Sequence, residues 1–186
     1  MAVPAWADGE HTIENTTGDV VWNGGTYTDG RSEKNITGKV TVSADTTLIV
    51  HSGITVNDGM EIDDNVTLTI KGEENASLLI FNSISGDGEI IFESGMAIVR
   101  GRAGSVSCDG EAGVTCDLLV KGGIIEITGG PGGDGEEEDD EGGIGGDGVD
   151  ADVSVEGGRL IVVGGKAETV ETTETVEMAD TAFVAK

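Results

Sequence analysis

Apolar and polar positions alternate along this chain in short triplets, and one phrase built on them returns six times. The triplets begin at Val20, Leu48, Leu68, Ile90, Leu118 and Val153. The copies read VVWNGGTYT, LIVHSGITV, LTIKGEENA, IIFESGMAI, LLVKGGIIE and VSVEGGRLI. Each is an apolar–x–apolar triplet, one polar residue, a small or glycine turn, then usually a second β-rich run. The third copy has the weakest turn and continuation, whereas DLLVKGGIIEITGG (117–130) overlays DVSVEGGRLIVVGG (152–165) without a gap. Repeats of this length signal stacked units that cannot bury an apolar face alone.

Strand alternation puts the first and third triplet residues on one face. That face reads Val20/Trp22, Leu48/Val50, Leu68/Ile70, Ile90/Phe92, Leu118/Val120 and Val153/Val155, all apolar. It is the expected inward stack, each side chain contributing roughly 1.5–3 kcal/mol on burial. Successive copies start 28, 20, 22, 28 and 35 residues apart. The shortest step suits one coil of a β-solenoid, with two or three short strands and their corners. Glycine after the triplet fits a sharp corner. β-branched residues and glycine dominate, and no 3.6-residue period persists, so a helical reading fails. The expected class is all-β, a single-stranded parallel β-solenoid of about six coils.

The steps divide the chain. Residues 1–17 read as a leader and N-terminal cap, 18–165 as the solenoid domain, and 166–186 as a Thr/Glu-rich tail, either a linker or a last closing strand. Val40–Val42 is an additional strand inside the first long step. The Cys108–Cys116 loop precedes the fifth copy, and a low-complexity insertion, 129–150 (GGPGGDGEEEDDEGGIGGDGVD), precedes the sixth. Since those copies align without a gap, both insertions are expected to leave the solenoid on one edge. Loops on a rigid repeat scaffold are common places for function.

Charge narrows the partners. Thirty-six acidic against ten basic residues leave a formal charge of −26. Such a field repels nucleic acid and anionic headgroups, and no apolar stretch approaches a membrane span. Thirty-two glycines against two prolines suit solenoid corners. Ala2–Ala7 (AVPAWA) resembles the end of a secretory signal with an A-x-A site before Asp8. Export to a secreted or bacterial cell-surface location would permit a disulfide between Cys108 and Cys116.

Candidate chemistry is sparse. Residues 142–150 (GGIGGDGVD) fit the calcium nonapeptide GGxGxDxUx, and 129–137 fit its first half. Asp134, Glu136, Glu138, Asp139, Asp140 and Asp147 are the candidate calcium ligands, in a loop whose glycines would let carbonyls contribute. Tyr27, on the second strand of its copy, is the candidate sugar-stacking aromatic. Trp22 and Phe92 fall on the inward face. His51 takes the polar corner position filled elsewhere by Asn23, Lys71, Glu93, Lys121 and Glu156. No nucleophile–histidine–acid set and no G-x-S-x-G elbow suggests itself.

The residues GGIIEITGG, GGIGGDG and GGRLIVVGG resemble the glycine-rich repeat regions of bacterial secreted and surface proteins of the gut Firmicutes type. The stretch ADTTLIVHSGITVNDGMEIDDNVTLTIKGEENASLLI is similar to the leading coils of pectin-lyase-like β-helix proteins, including carbohydrate-binding ones. The resemblance covers roughly residues 40–165. It implies a right-handed parallel β-helix at a cell surface, binding a polysaccharide or acting as an adhesin-like module. A β-helix hydrolase would pair clustered Asp residues with Gly-His-Gly, which Asp63-Asp64 lacks. A lyase would set a basic residue beside bound calcium, and Arg100 and Arg102 are the clustered arginines. The expectation is thus a noncatalytic carbohydrate-binding or adhesin-like module. Polysaccharide lyase or related β-helix enzyme, and self-associating surface module, are the alternatives. The middle triplet positions Val21, Ile49, Ile91 and Leu119 predict an apolar stripe and with it a homodimer or the cover of the tail.

Overall fold

The computed structural model describes residues 10–134, 142–167, 175–179 and 184–185, all-β and without a helix. The strands are β1 (Glu10–Thr12), β2 (Val20–Thr28), β3 (Lys34–Ile36), β4 (Val40–Val50), β5 (Gly53–Val56), β6 (Met60–Ile62), β7 (Thr67–Gly72), β8 (Ser77–Phe81) and β9 (Ile84–Gly86). They continue as β10 (Glu89–Ser94), β11 (Met96–Arg100), β12 (Asp117–Val120), β13 (Ile124–Thr128), β14 (Val153–Val155), β15 (Arg159–Val163), β16 (Thr175–Ala179) and β17 (Val184–Ala185).

Pairing is parallel from β1 through β15 and, apart from β1 with β2, joins strands that are not adjacent in sequence. One sheet of ten strands runs β1-β2-β4-β7-β10-β12-β14-β17, with β6 and β9 branching from β4. A second, of seven strands, runs β3-β5-β8-β11-β13-β15-β16. The larger sheet folds over inside β4. Its first residues, Val40–Val42, pair with β6, while Thr46–Val50 pair with β7. The chain therefore presents three faces around one interior. The third face is carried on by isolated bridges from Ile84 to Val114 and from Val114 to Val149.

The interior is built from rows of like residues brought into register. Leu68, Ile90 and Leu118 lie opposite one another, as do Ile70, Phe92 and Val120. Across from them stand Leu78, Ala97 and Ile125, beside Ile80, Val99 and Ile127. Of the twelve inward triplet residues ten are buried, and Val20 and Val153 are partly buried against the same core. Two details of the repeat alignment change. Val20–Trp22 belongs to the third face, where it pairs with Val40–Val42. Leu48 sits opposite Ile70 rather than Leu68, an offset of two that keeps the inward parity.

Corners follow from glycine. Gly95, Gly123 and Gly158 stack at the turn from the larger sheet to the smaller, with φ of 93°, 90° and 80°. A side chain there would be strained and would run into the backbone of the adjacent coil. At the far end the tail returns as strands. β16 pairs antiparallel with β15, and β17 with β14, so both open edges of the last coil are paired.

Candidate binding face

A groove lies on the outer face of the seven-stranded sheet, near its first strands. It encloses about 400 Å³ and is lined by Asn15, Glu33, Lys34, Asn35, Gly53, Ile54, Thr55, Ser77 and Leu79. Register aligns its floor. Asn35, Thr55, Leu79, Ile98, Glu126 and Ile161 stand opposite one another along successive strands, between the two buried rows. One flank carries Ser77, Met96, Ile124 and Arg159, the other Phe81, Arg100 and Thr128. Met96 and Ile124 are 42% and 49% exposed, adjacent in register, and so form an uncovered apolar pair. The Arg100 guanidinium lies 5.7 Å from the centre of the Phe81 ring. The face is thus polar at one end and apolar toward the other.

Asparagine fixes the border of this face. The Asn35 N–H donates to Asn15 Oδ1 at 2.8 Å, Asn57 Nδ2 donates to Asn35 Oδ1 at 2.5 Å, and Asn82 Nδ2 donates to the Asn57 carbonyl at 3.1 Å. The opposite border is ionic. His51 Nδ1 and Glu73 Oε1 are 2.6 Å apart, Arg31 reaches the same oxygen at 3.5 Å, and Lys71 pairs with Glu93 at 3.0 Å. His51 is therefore a corner residue, as its place in the repeat suggests.

A second, polar cleft of about 200 Å³ opens beside the third face. Lys39, Asp58, Asn82, Ser85, Arg102 and Glu111 line it. Lys39 donates to Glu61 Oε2 at 2.8 Å, and that carboxylate holds its ammonium charged above the ordinary range. Arg102 thus stands in one cleft with Asp58 and Glu111, a neighbourhood that sequence reading did not give it.

Among the described residues each glycine-rich insertion folds back on itself, Glu111 and Cys108 donating to Arg102 and Ser105, and the two insertions bond to each other. Their backbone bonds come at every third residue. Gly101, Gly104 and Ser107 donate to Thr128, Pro131 and Asp134, and Gly110 and Gly113 donate to Ile144 and Asp147. Gly130 and Gly133 donate to Glu111 and Cys108, and Gly143 and Gly146 to Gly133 and Gly130. A three-residue bonding period is that of extended polyproline-II-type helices, which lack internal hydrogen bonds and must bond sideways. The segments 101–106, 108–113, 129–134 and 142–148 make a sheaf, into which 163–166 also bonds through Gly165 and Lys166. A Cβ on Gly110, Gly130, Gly132 or Gly143 would strike a neighbouring carbonyl. Packing accounts for these glycines.

The sequence-based site residues are redistributed accordingly. Asp134 and Asp147 are exposed at the sheaf, while Glu136, Glu138, Asp139 and Asp140 lie outside the described residues. Among the described residues no three metal-binding side chains converge. Tyr27 is not an outward platform. It lies in the inward row opposite Leu48, its ring 4.9 Å from Trp22 at 23° and 4.9 Å from His11. The expected disulfide is absent: Cys108 is an exposed free thiol on the sheaf and Cys116 a buried one. Burial pushes the Cys116 thiol up to about 12. The expected stripe is not one row. Val21 lies on the third face, Ile49 stands opposite Lys71, and only Ile91 and Leu119 meet.

No family model, no curated protein and no solved structure matches this chain.

Proposed function

We propose that this chain is a noncatalytic β-helix module of an exported or cell-surface protein, and that it binds a polysaccharide along the outer face of its seven-stranded sheet. The observation that carries this is the aligned row Asn35, Thr55, Leu79 and Ile98, which floors the groove and continues past it along successive strands. Amide and hydroxyl groups suit sugar hydroxyls, and aliphatic side chains suit the C–H faces of the rings. A ligand that repeats is matched by a surface that repeats. The winding is right-handed, because parallel crossovers within one sheet are right-handed in about 98% of cases. A count of about six coils is supported by the six parallel strands of the seven-stranded sheet.

The test is titration of the full chain with soluble polysaccharides, beside the variants Leu79→Asp and Thr55→Arg. Both side chains point out of the core, so their thermal midpoints should stay near that of the parent. Loss of binding in both supports the face. Undiminished binding in both removes it.

A lyase is the second reading, favoured by Arg102 beside Asp58 and Glu111 in the polar cleft. It predicts unsaturated sugar ends when the chain is incubated with polygalacturonate and calcium, and their loss in Arg102→Ala.

A further inference from the structure

We infer that the ligand of this face is a neutral, extended glycan and not a uronate-bearing one, an inference that rests on the binding face proposed above. The argument begins with charge. Lys34 is the cation lining the groove, and its Nζ lies 3.8 Å from Glu14 Oε2, with Glu33 as a further lining residue. Its charge is already offset, and the face's other cations, Arg100 over the Phe81 ring and Arg159, stand on the flanks outside the groove lining. Farther along the middle row stands Glu126, exposed and opposite Ile98. Around these lies a chain of formal charge −26. A polyuronate brings one carboxylate per sugar, so each sugar seated adds repulsion from this field. A neutral chain meets none.

Spacing sets the extended form, and the row's side chains set the neutral one. Strands in register stand about 4.7–4.9 Å apart. An extended chain of equatorially linked sugars repeats at a similar interval, so one ring can sit over each strand. Thr55 can both donate and accept, as a neutral sugar's hydroxyl pair requires. Leu79 and Ile98 follow it in the row and offer aliphatic surface, which a ring's C–H face fits and a solvated carboxylate does not.

The experiment compares equal-length oligosaccharides on the isotope-labelled full chain, following the amide signals of Asn35, Thr55 and Leu79. Cellohexaose, xylohexaose and mannohexaose are the neutral probes, hexagalacturonate and hexamannuronate the acidic ones. Salt is set at about 0.01 M and about 1 M, where the screening length falls from roughly 30 Å to roughly 3 Å. The expected result is that at least one neutral probe moves these amides with an affinity changing less than about twofold with salt. The acidic probes should bind at least about tenfold more weakly at low salt, the gap narrowing at high salt. Tighter binding of an acidic probe at these same amides overturns the neutral class but leaves the face standing. Binding that moves only signals elsewhere, or no binding by any probe, overturns both.

Discussion

The Asp29 carboxylate reaches across one corner of the solenoid to accept the backbone N–H of Ser52 at 2.6 Å. The same oxygen takes the N–H groups of His51 and Gly53, each at 3.1 Å, and the other oxygen takes that of Arg31 at 2.9 Å. Asp29 is fully buried. One side chain therefore serves four donors that the turn after β4 and its own turn leave outside the ladders. Removing it strands these donors at about 1–3 kcal/mol for each that water cannot reach. Asp29→Ala should lower stability by about 2–4 kcal/mol, read as a shift in urea midpoint at constant slope. A loss below about 1 kcal/mol would show that water replaces the carboxylate.

The glycine sheaf makes a sharper contrast. A Cβ on Gly143 would strike the Cys108 carbonyl, whereas one on Gly18 would find nothing within 4 Å. Neither glycine has a positive φ, so the comparison isolates contact from backbone preference. Gly143→Ala should cost about 1–3 kcal/mol by overpacking, and Gly18→Ala should stay within about 0.5 kcal/mol of the parent. Equal effects in thermal unfolding would mean that the sheaf is not packed as described.

The aromatic stack at the N-terminal end separates structure from binding. Trp22 is 3% exposed and Tyr27 lies between it and His11. Tyr27→Ala should therefore destabilise by about 2–4 kcal/mol, toward the lower end of large-to-small aromatic truncations because Tyr27 is only partly buried. Tyr27→Phe should cost less than about 1.5 kcal/mol, the worth of the Asn23 N–H contact to its hydroxyl at 3.3 Å. Glycan affinity of both variants, measured below the unfolding transition, should match the parent. Loss of affinity in Tyr27→Phe would return Tyr27 to the ligand site.

What was legible in the sequence followed from period. Alternation of two exposed the inward rows, because burial on one face of a strand leaves no freedom of parity. It did not fix register between coils: Leu48 against Ile70 and Leu48 against Leu68 satisfy the same alternation, and only turn lengths decide. Tyr27 was misread for a related reason. It was placed on the second strand of its copy, whereas Val20–Thr28 is one strand with an irregular register after Trp22 that sets Tyr27 opposite the inward Leu48. The sheaf has a sequence signal of its own. Gly101, Gly104, Gly110 and Gly113 fall every third residue, with Ser107 between, which is the spacing of a polyproline-II helix needing a small side on one edge. Asp29 had no such signal for its long-range role, since three of its four partners, the N–H groups of His51, Ser52 and Gly53, lie more than twenty residues away, and any residue supplies those.

The last prediction concerns the two thiols. Cys108 is exposed on the sheaf, and Cys116 is 1% exposed beneath the third face. A thiol reagent added to the native chain should consume Cys108 alone, and Cys116 should react at the rate of unfolding. The same burial makes stability depend on pH. Unfolded, the Cys116 thiol ionises near its ordinary 9.0; folded, burial holds it protonated to about 12. Its contribution is whole below pH 9 and is lost as pH rises toward 12, because the unfolded state then gains by releasing a proton that the folded state retains. Over that window the parent should lose up to about 1.4 kcal/mol per pH unit from this group. Cys116→Ala should begin less stable, for want of a packed sulfur, but show a shallower alkaline slope. Equal slopes in parent and variant would place the Cys116 thiolate in contact with water, and with it the inside of the coil that carries Val114.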